Sequence, residues 1–229
     1  MGALVARMLT SLCAVAAMTG CTRTERPPVP VIQIVVPAQD GAKTEWRNFA
    51  NPIDIARLDR LPQEWKEGLA AIGPGQAKRT LDEQGPLLDP AAALSRPAPP
   101  PGNYSCRVWR LPAAPRRNRA VIGYKPFSCY VGERDFLLTF TKESGSDRPV
   151  GWIWPDGDSR LVFLGAMAKG AEAAPPAYGD KLDRNLVGAV ERVAPFRWRL
   201  VMPRPNQESR IDVIEMIPIV PQMAQTLPS

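Results

Sequence analysis

The sequence predicts an α+β protein in which a short N-terminal helical segment is followed by an antiparallel β-barrel or β-sandwich. Three observations indicate this fold. Apolar residues recur at helical spacing between residues 45 and 86, and they alternate with other residues in short runs after residue 104. Between these two parts, the run RPAPPPG at residues 96–102 is expected to form a semi-rigid connector.

The N-terminus, MGALVARMLTSLCAVAAMTGC, has the features of a bacterial lipoprotein signal peptide. Its apolar run at residues 8–18 has the length of a signal-peptide core, about 7–15 residues, and is shorter than the ~20 residues that span a bilayer. The run ends in MTGC, which resembles a lipobox with Met18 where Leu is usual. We expect cleavage before Cys21 and attachment of acyl chains, such as palmitate, to that residue. An ordinary signal peptide or a buried apolar helix is the alternative.

The residues after Cys21 predict where the anchored protein is held. By analogy with the sorting of Gram-negative lipoproteins, Thr22 in place of Asp predicts the inner leaflet of the outer membrane, with the protein in the periplasm. The run RPPVPV that follows favours an extended chain. Residues 21–43 are therefore predicted to be a lipidated tether that holds the domain away from the bilayer.

The helical segment has recognisable ends and one expected break. Asn51 suits an N-cap position, and Pro52 suits the first helical position. Pro62 should break or kink the helix, and the GPG run at residues 73–75 ends it before a second short helix. The residues expected to form the apolar stripe are Ile55, Leu58, Trp65, Leu69 and Ile72.

The strand pattern is clearest in the run FRWRLVM, where Phe196, Trp198 and Leu200 alternate with Arg197 and Arg199. Turn sequences such as SGSDRP, PDGDS and VAPFR separate the alternating runs. About eight or nine short strands result, a regular spacing that favours a barrel or sandwich. The predicted boundaries are signal peptide 1–20, tether 21–43, helical segment 44–96, connector 97–103, β domain 104–217 and flexible tail 218–229.

Composition excludes several function classes. The chain has no histidine, which excludes a Ser-His-Asp triad, an imidazole base and His-ligated zinc or haem. The net charge of +6 is spread along the chain without a Lys/Arg block or recognition motif, so no nucleic-acid partner is expected. We expect no cofactor, no metal and no catalytic residue.

Two cysteines remain in the predicted mature chain besides the lipidated one. Cys106 and Cys129 form an even pair, and in the oxidising periplasm we expect them to form a disulfide. Such a bridge contributes about 3–3.5 kcal/mol in the chain-entropy model. Free buried thiols or a redox pair are the alternatives, although the C-x-x-C spacing of redox motifs is absent.

Three blocks of the sequence carry a resemblance to a known family. They are GPLLDPAAAL with PAPPPGNYSCRV, TKESGSDRPVGWIWPDGDSRLVFLG, and GAVERVAPFRWRLVMPRP with ESRIDVIEMIP. Together they resemble the bacterial domain-of-unknown-function family DUF4893, uncharacterised envelope proteins of about this length. The likeness covers residues 45–217, and Cys106 and Cys129 match the family's paired cysteines. The resemblance implies no catalytic residue and no ligand.

The run RPVGWIW is the strongest candidate for ligand binding. Trp152 and Trp154 project from one face of a strand, and Arg148 precedes them. If this face lines a cavity, two indoles and a guanidinium could stack against a sugar or another flat or cationic ligand. If it faces the core, the indoles are packing residues.

Three further groups of residues could carry chemistry. Asp156 and Asp158 could begin a Ca²⁺ loop, although an Asp-Gly turn explains them equally. Asp212 and Glu215, with Glu208 nearby, could act as a hydrolytic carboxylate pair, although strand geometry places the first two on opposite faces, where Arg197, Arg199 and Arg210 are available partners. Finally, Lys142 and Ser144 could form a Ser-Lys dyad without its usual motif.

The sequence favours a non-catalytic binding or structural module of the envelope, anchored to the membrane by lipid, with an envelope protein or the cell wall as partner. The first alternative is a barrel that binds a small hydrophobic or glycan ligand. The second is a carboxylate-based hydrolase.

Overall fold

The computed structural model describes residues 45–113, 120–203 and 209–219. The predicted signal peptide, Cys21, the tether, Glu208 and the tail beyond residue 219 lie outside the described residues. Within the described ranges, the model contains no helix that is long and apolar enough to cross a membrane.

The β domain is a closed antiparallel barrel, which decides between the two predicted architectures. Consecutive strands pair along the sheet, and the last strand pairs with the first from Tyr104 opposite Pro218 to Pro112 opposite Ser209. Eight strands form the wall, and the two-residue β2 pairs beside β1 in line with β3. The strands of the described residues are β1 Gly102–Pro112, β2 Ile122–Gly123, β3 Phe127–Arg134, β4 Leu137–Lys142, β5 Asp147–Pro155, β6 Leu161–Lys169, β7 Asn185–Ala194, β8 Arg197–Pro203 and β9 Ser209–Pro218.

Because neighbouring strands are antiparallel, their connections lie alternately at two ends of the barrel. We call the end with the turns β3–β4, β5–β6 and β7–β8 the closed end. The opposite end, with the turn 143–146 between β4 and β5 and the connection between β6 and β7, is the open end.

The helices form where the sequence predicts them, and Pro62 does break the segment. One helix ends at Asp59, and the next begins at Leu61 with Pro62 in its first turn. Asn51 is the N-cap, and its Oδ1 accepts a hydrogen bond from the Ile53 amide at 2.9 Å. The helices are α1 Glu45–Phe49, α2 Pro52–Asp59, α3 Leu61–Ala70 and α4 Gln76–Glu83, and short 3₁₀ turns cover Gly85–Leu87 and Leu182–Arg184.

The helical segment packs against the outer wall of the barrel and does not plug it. Trp46, Leu58 and Trp65 share one buried cluster with outward-facing Val187 and Val201. This contact covers the outer face of several strands and leaves the interior to a second cluster.

Arg199 on β8 connects the barrel wall to the segment between the helices and β1. It is fully buried, and its Nη1 donates to the carbonyls of Leu87 at 2.9 Å and Asp89 at 2.7 Å. Its charge is balanced by Glu191 at 2.7 Å, and its guanidinium lies 5.3 Å from the ring centroid of Trp65. Buried charges are stable only when they are paired and hydrogen-bonded in this way.

Aromatic side chains fill the barrel interior toward the closed end. Tyr104 and Trp198 meet edge to face with ring centroids 6.3 Å apart, and Phe140 and Phe163 do so at 6.0 Å. The Phe163 ring fits because Gly165 faces it, since a Cβ there would lie 2.6 Å from the ring. Large rings in this geometry pack densely and leave little free volume.

The disulfide predicted from the sequence is confirmed. Cys106 on β1 and Cys129 on β3 are bonded, with their Cα atoms 6.0 Å apart. Both residues are buried and belong to the interior cluster. The bridge therefore links two wall strands from inside the barrel, as a structural disulfide does.

A candidate ligand cavity at the open end of the barrel

A cavity of about 430 Å³ opens at the open end of the barrel. Its floor and walls are apolar side chains that point inward from five strands. These residues are Val108, Phe127, Met167, Met202 and Ile214. Phe127 is the single aromatic ring among these five, so their side chains fill less of the interior than the paired rings do toward the closed end.

An interruption in the wall brings two more side chains to the rim. The pairing of β1 with β3 ends at Cys106 opposite Phe127, and pairing resumes with β2 at Trp109 opposite Gly123, one residue out of register. Such irregularities re-aim side chains at barrel rims. Here they place Tyr124 and Lys125 at the cavity.

A bidentate ion pair forms one side of the rim. Arg110 and Asp212 are direct partners on β1 and β9, and both line the cavity. Arg110 Nε donates to Oδ1 at 2.9 Å and Nη2 donates to Oδ2 at 3.1 Å. The guanidinium also lies 5.2 Å from the Tyr124 ring centroid. This paired geometry fixes both side chains and neutralises the Asp212 carboxylate.

Lys142 forms the other side of the rim, at the end of β4. Its Nζ donates to the Asp147 carbonyl at 2.8 Å and lies 4.6 Å from the Phe127 ring centroid. Burial lowers the pKa of Lys142, and Arg148 and Arg110 act in the same direction, whereas Asp147 and Asp212 oppose them. The lysine is therefore partly removed from water next to an apolar cavity.

Among the described residues, the charges at the rim are predominantly positive. Arg110, Lys125 and Lys142 face two carboxylates, of Asp147 and Asp212. Arg110 and Asp212 neutralise each other. The net charge of the remaining lining residues therefore depends on two lysines, Lys125 and Lys142, and one aspartate, Asp147. The cavity thus combines an apolar interior with a polar rim that carries excess positive charge.

The residues predicted to bind a ligand lie elsewhere. Trp152 and Trp154 are half-buried on the outer face of β5, since their neighbour Ile153 points into the interior cluster. Trp154 stacks on Phe49 of α1 with ring centroids 4.7 Å apart. Neither indole lines the cavity at the open end. Ligand binding by this outer face stays a prediction.

Arg148, the third residue of that prediction, holds two loops together. Its Nη1 donates to the carbonyl of Gly145 at 2.7 Å and to that of Gly170 at 2.6 Å. These bonds join the β4–β5 turn to the loop after β6, at the open end. Its guanidinium stabilises the loops beside the cavity, and the residue is not among those that line it.

Of the two candidate calcium residues, Asp156 has side-chain partners within the protein, whereas Asp158 accepts a hydrogen bond through its main-chain carbonyl, from the Arg96 amide at 2.9 Å. Asp156 accepts a hydrogen bond from Trp46 Nε1 at 2.9 Å and one from Arg160 Nε at 2.7 Å. Its carboxylate therefore fastens α1 to the β5–β6 turn. Across the described part of the chain, no group of three or more His, Cys, Asp or Glu side chains is placed to hold a metal ion.

The two carboxylates on β9 point to opposite sides of the barrel wall, as strand geometry requires. Asp212 lines the cavity, whereas Glu215 pairs with Arg197 at 2.7 Å and accepts from Trp109 Nε1 at 3.3 Å. Of the predicted arginine partners, Arg197 is confirmed. Arg199 instead pairs with Glu191, and Arg210 with Glu64 at 2.8 Å.

Lys142 and Ser144 do come together at the cavity. However, in the described part of the structure no hydrogen bond joins their side chains, and the lysine donates to the main chain of Asp147.

One feature of the sequence indicates which side chains of β1 face the cavity. Once Cys106 is placed inside the barrel, the period of two places Val108 and Arg110 inside as well.

The structure and its cavity define a class: a closed, disulfide-linked antiparallel barrel that is covered on one side by short helices and that has, among the described residues, a cavity at one end. The family model described as domain of unknown function (DUF4893) matches residues 46–216, so the chain belongs to that family. No curated protein and no solved structure matches the chain.

Proposed function

We propose that this chain is a non-catalytic, lipid-anchored periplasmic protein that binds a small, partly apolar molecule in the cavity at the open end of its barrel. The cavity itself carries this proposal. Its volume of about 430 Å³ falls within the ~300–1,000 Å³ of typical ligand pockets. Its lining of apolar side chains with a few polar groups at the mouth is the composition that such pockets have.

The residues at the rim support binding more than catalysis. Both oxygens of the Asp212 carboxylate already accept hydrogen bonds from Arg110, at 2.9 and 3.1 Å, so the carboxylate is engaged within the protein. The second carboxylate of the hydrolase alternative, Glu215, lies on the other side of the wall with Arg197. A pair that flanks one scissile bond is therefore not assembled by these two residues.

The lipobox-like MTGC sequence supports an anchor at Cys21, and the disulfide suits an oxidising compartment. The anchor would attach the protein to the inner leaflet of the outer membrane, where an envelope protein or the cell wall could be its partner. A Cys21→Ala protein should be released from membranes after cell fractionation. If it still partitions with the membranes, the anchor proposal is wrong.

The binding proposal is tested with a neutral fluorescent probe, N-phenyl-1-naphthylamine, titrated into the purified mature domain. We expect saturable binding that Val108→Phe weakens at least about tenfold, because the new ring occupies the cavity. The matched control is Val150→Phe, which adds the same ring to the outer face of β5, where Val150 is half-buried. No saturable binding, or equal loss in both variants, would overturn the proposal.

A further inference from the structure

We propose that the ligand of the open-end cavity is an anionic amphiphile, whose carboxylate or phosphate head meets Lys142 at the rim and whose apolar tail lies between Met167 and Met202. This inference rests on the proposed function and adds the chemical class of the ligand.

The head-group part of the inference depends on Lys142. An ammonium group has three donors, and the structure uses one of them on the Asp147 carbonyl. In the described residues, no carboxylate lies within ion-pair distance of its Nζ. A partly dehydrated ammonium without an anionic partner is costly, and a bound anion would relieve that cost.

The surrounding charges favour an anion over a cation. In the part of the chain that the structure describes, the charged and titratable groups that face Lys142 or line the same rim are Arg110, Tyr124, Lys125, Asp147, Arg148 and Asp212. Asp212 is already neutralised by Arg110, and Asp147 is exposed to solvent. A cationic head would therefore meet two lysines with one exposed aspartate as its partner, whereas an anionic head would meet both lysines directly.

The tail part of the inference depends on the side chains inside the rim. Met202 and Ile214 are almost fully buried, and Met167 and Val108 are partly buried against the same interior cluster. Methionine side chains are flexible and polarisable, and they adapt to irregular apolar ligands. Lys142 Nζ lies 4.6 Å from the Phe127 ring of this lining, so a chain that enters the cavity tail first leaves its head beside Lys142.

The experiment measures displacement of N-phenyl-1-naphthylamine from the mature domain by four molecules with the same chain, each below its micelle concentration and at low salt. They are decanoate, decyl phosphate, decanol and decyltrimethylammonium. We expect at least one of the two anions to displace the probe at a concentration about tenfold or more below that of decanol, with the cation weakest. The better of the two anions identifies the head group.

Two variants distinguish the charge of Lys142 from the effect of the net charge of the protein. Lys142→Met keeps an apolar stem of similar length, and we expect it to bind the anions and decanol equally while still binding the probe. Lys181→Met removes an exposed lysine that does not line the cavity, and it should leave the anion preference intact. Loss of the preference in both variants would assign it to net charge and overturn the role of Lys142.

The remaining outcomes distinguish this inference from the proposed function. If the probe binds but decanol competes as well as both anions, the anionic class is wrong and the cavity remains a binding site. If acetate or inorganic phosphate displaces the probe as well as the decyl compounds do, the tail assignment is wrong. If the probe itself does not bind, the proposed function fails, and this inference fails with it.

Discussion

The two ends of the barrel are built from the same strands and the same alternation, yet one end is packed and the other holds a cavity. Toward the closed end, the inward positions carry Tyr104, Phe140, Phe163 and Trp198, which fill the space as edge-to-face pairs. At the open end, the inward apolar positions carry Val, Met and Ile with a single ring, that of Phe127. The alternation of side chains therefore determines which residues face the barrel interior. The size of those inward side chains determines whether the interior is a packed core or a pocket.

The two ends also differ in the hydrogen bonds of the polar side chains that face the interior. The Tyr104 hydroxyl inside the closed end is satisfied by the Pro100 carbonyl at 2.5 Å. At the open end, Lys142 retains donors toward the cavity after its one hydrogen bond to the Asp147 carbonyl. The closed end is not fully satisfied either, because Trp198 Nε1 is buried there without a hydrogen-bond partner among the described residues. The open end is distinguished by a lysine whose remaining donors can reach a ligand.

The largest expected effect distinguishes packing at the two ends. Trp198→Ala should lower the free energy of unfolding by about 3–5 kcal/mol, because it leaves a cavity among the closed-end rings. Met167→Ala should cost about 1 kcal/mol or less, since Met167 is only partly buried and already borders open space. Urea unfolding of both variants measures the difference. Equal costs would contradict the division into a packed end and an open end.

The disulfide should have the next largest effect. Replacing both Cys106 and Cys129 by Ala should lower the free energy of unfolding by about 2–5 kcal/mol, mainly because the unfolded chain regains its freedom. Urea unfolding of the double variant gives the value, and the wild type with a reductant is the control. Binding of the neutral probe by folded protein should persist, because neither cysteine lines the cavity. Loss of binding by folded variant protein would mean that the bridge shapes the cavity.

The smallest expected effect is a dependence on alkaline pH to which Tyr104 at the closed end contributes. Burial raises the pKa of Tyr104 to about 12, whereas an unfolded tyrosine titrates near pH ~10. The unfolded state then loses its proton first, so the free energy of unfolding should fall as the pH rises from about 10 toward about 12.

Tyr104→Phe should make this fall shallower, as denaturant unfolding at several pH values would show. Lys142 should change the free energy of unfolding in the opposite direction as the pH rises. Its pKa is lowered in the folded state, so the folded state loses this proton before the unfolded state does. Its contribution to stability rises with pH up to the ordinary lysine pKa, and Lys142→Met should remove that contribution. The same slope in wild type and Tyr104→Phe would show that Tyr104 does not cause the alkaline loss.

Local features of this fold could be predicted from the sequence, and long-range closure could not. The break in the helical segment near Pro62 and the alternation of side chains along β8 depend on neighbouring residues, and both are observed as predicted. The pairing of β1 with β9 joins residues that are about a hundred positions apart along the chain. No local pattern distinguishes that closed barrel from a sandwich, because both have the same alternating strands.

The candidate site was harder to predict for a related reason. The period of two placed Trp152 and Trp154 on one face, but it does not say which face of a strand is inside. The structure assigns the interior to Ile153, with Gly151 beside the Phe163 ring, and so places both indoles outside. The sequence indicated Asp212 as a candidate carboxylate, but its ion pair with Arg110 could not be predicted, because that pair depends on the closure of β1 onto β9.

The central claim is that the open end of the barrel is the binding end. A crystal structure of the mature domain with ω-bromodecanoate tests it most directly, since the anomalous signal of bromine locates the tail. The account predicts bromine between Met167 and Met202, with the carboxylate at Lys142 Nζ. Bromine against Trp152 and Trp154 on the outer face, or a carboxylate remote from Lys142, would contradict it.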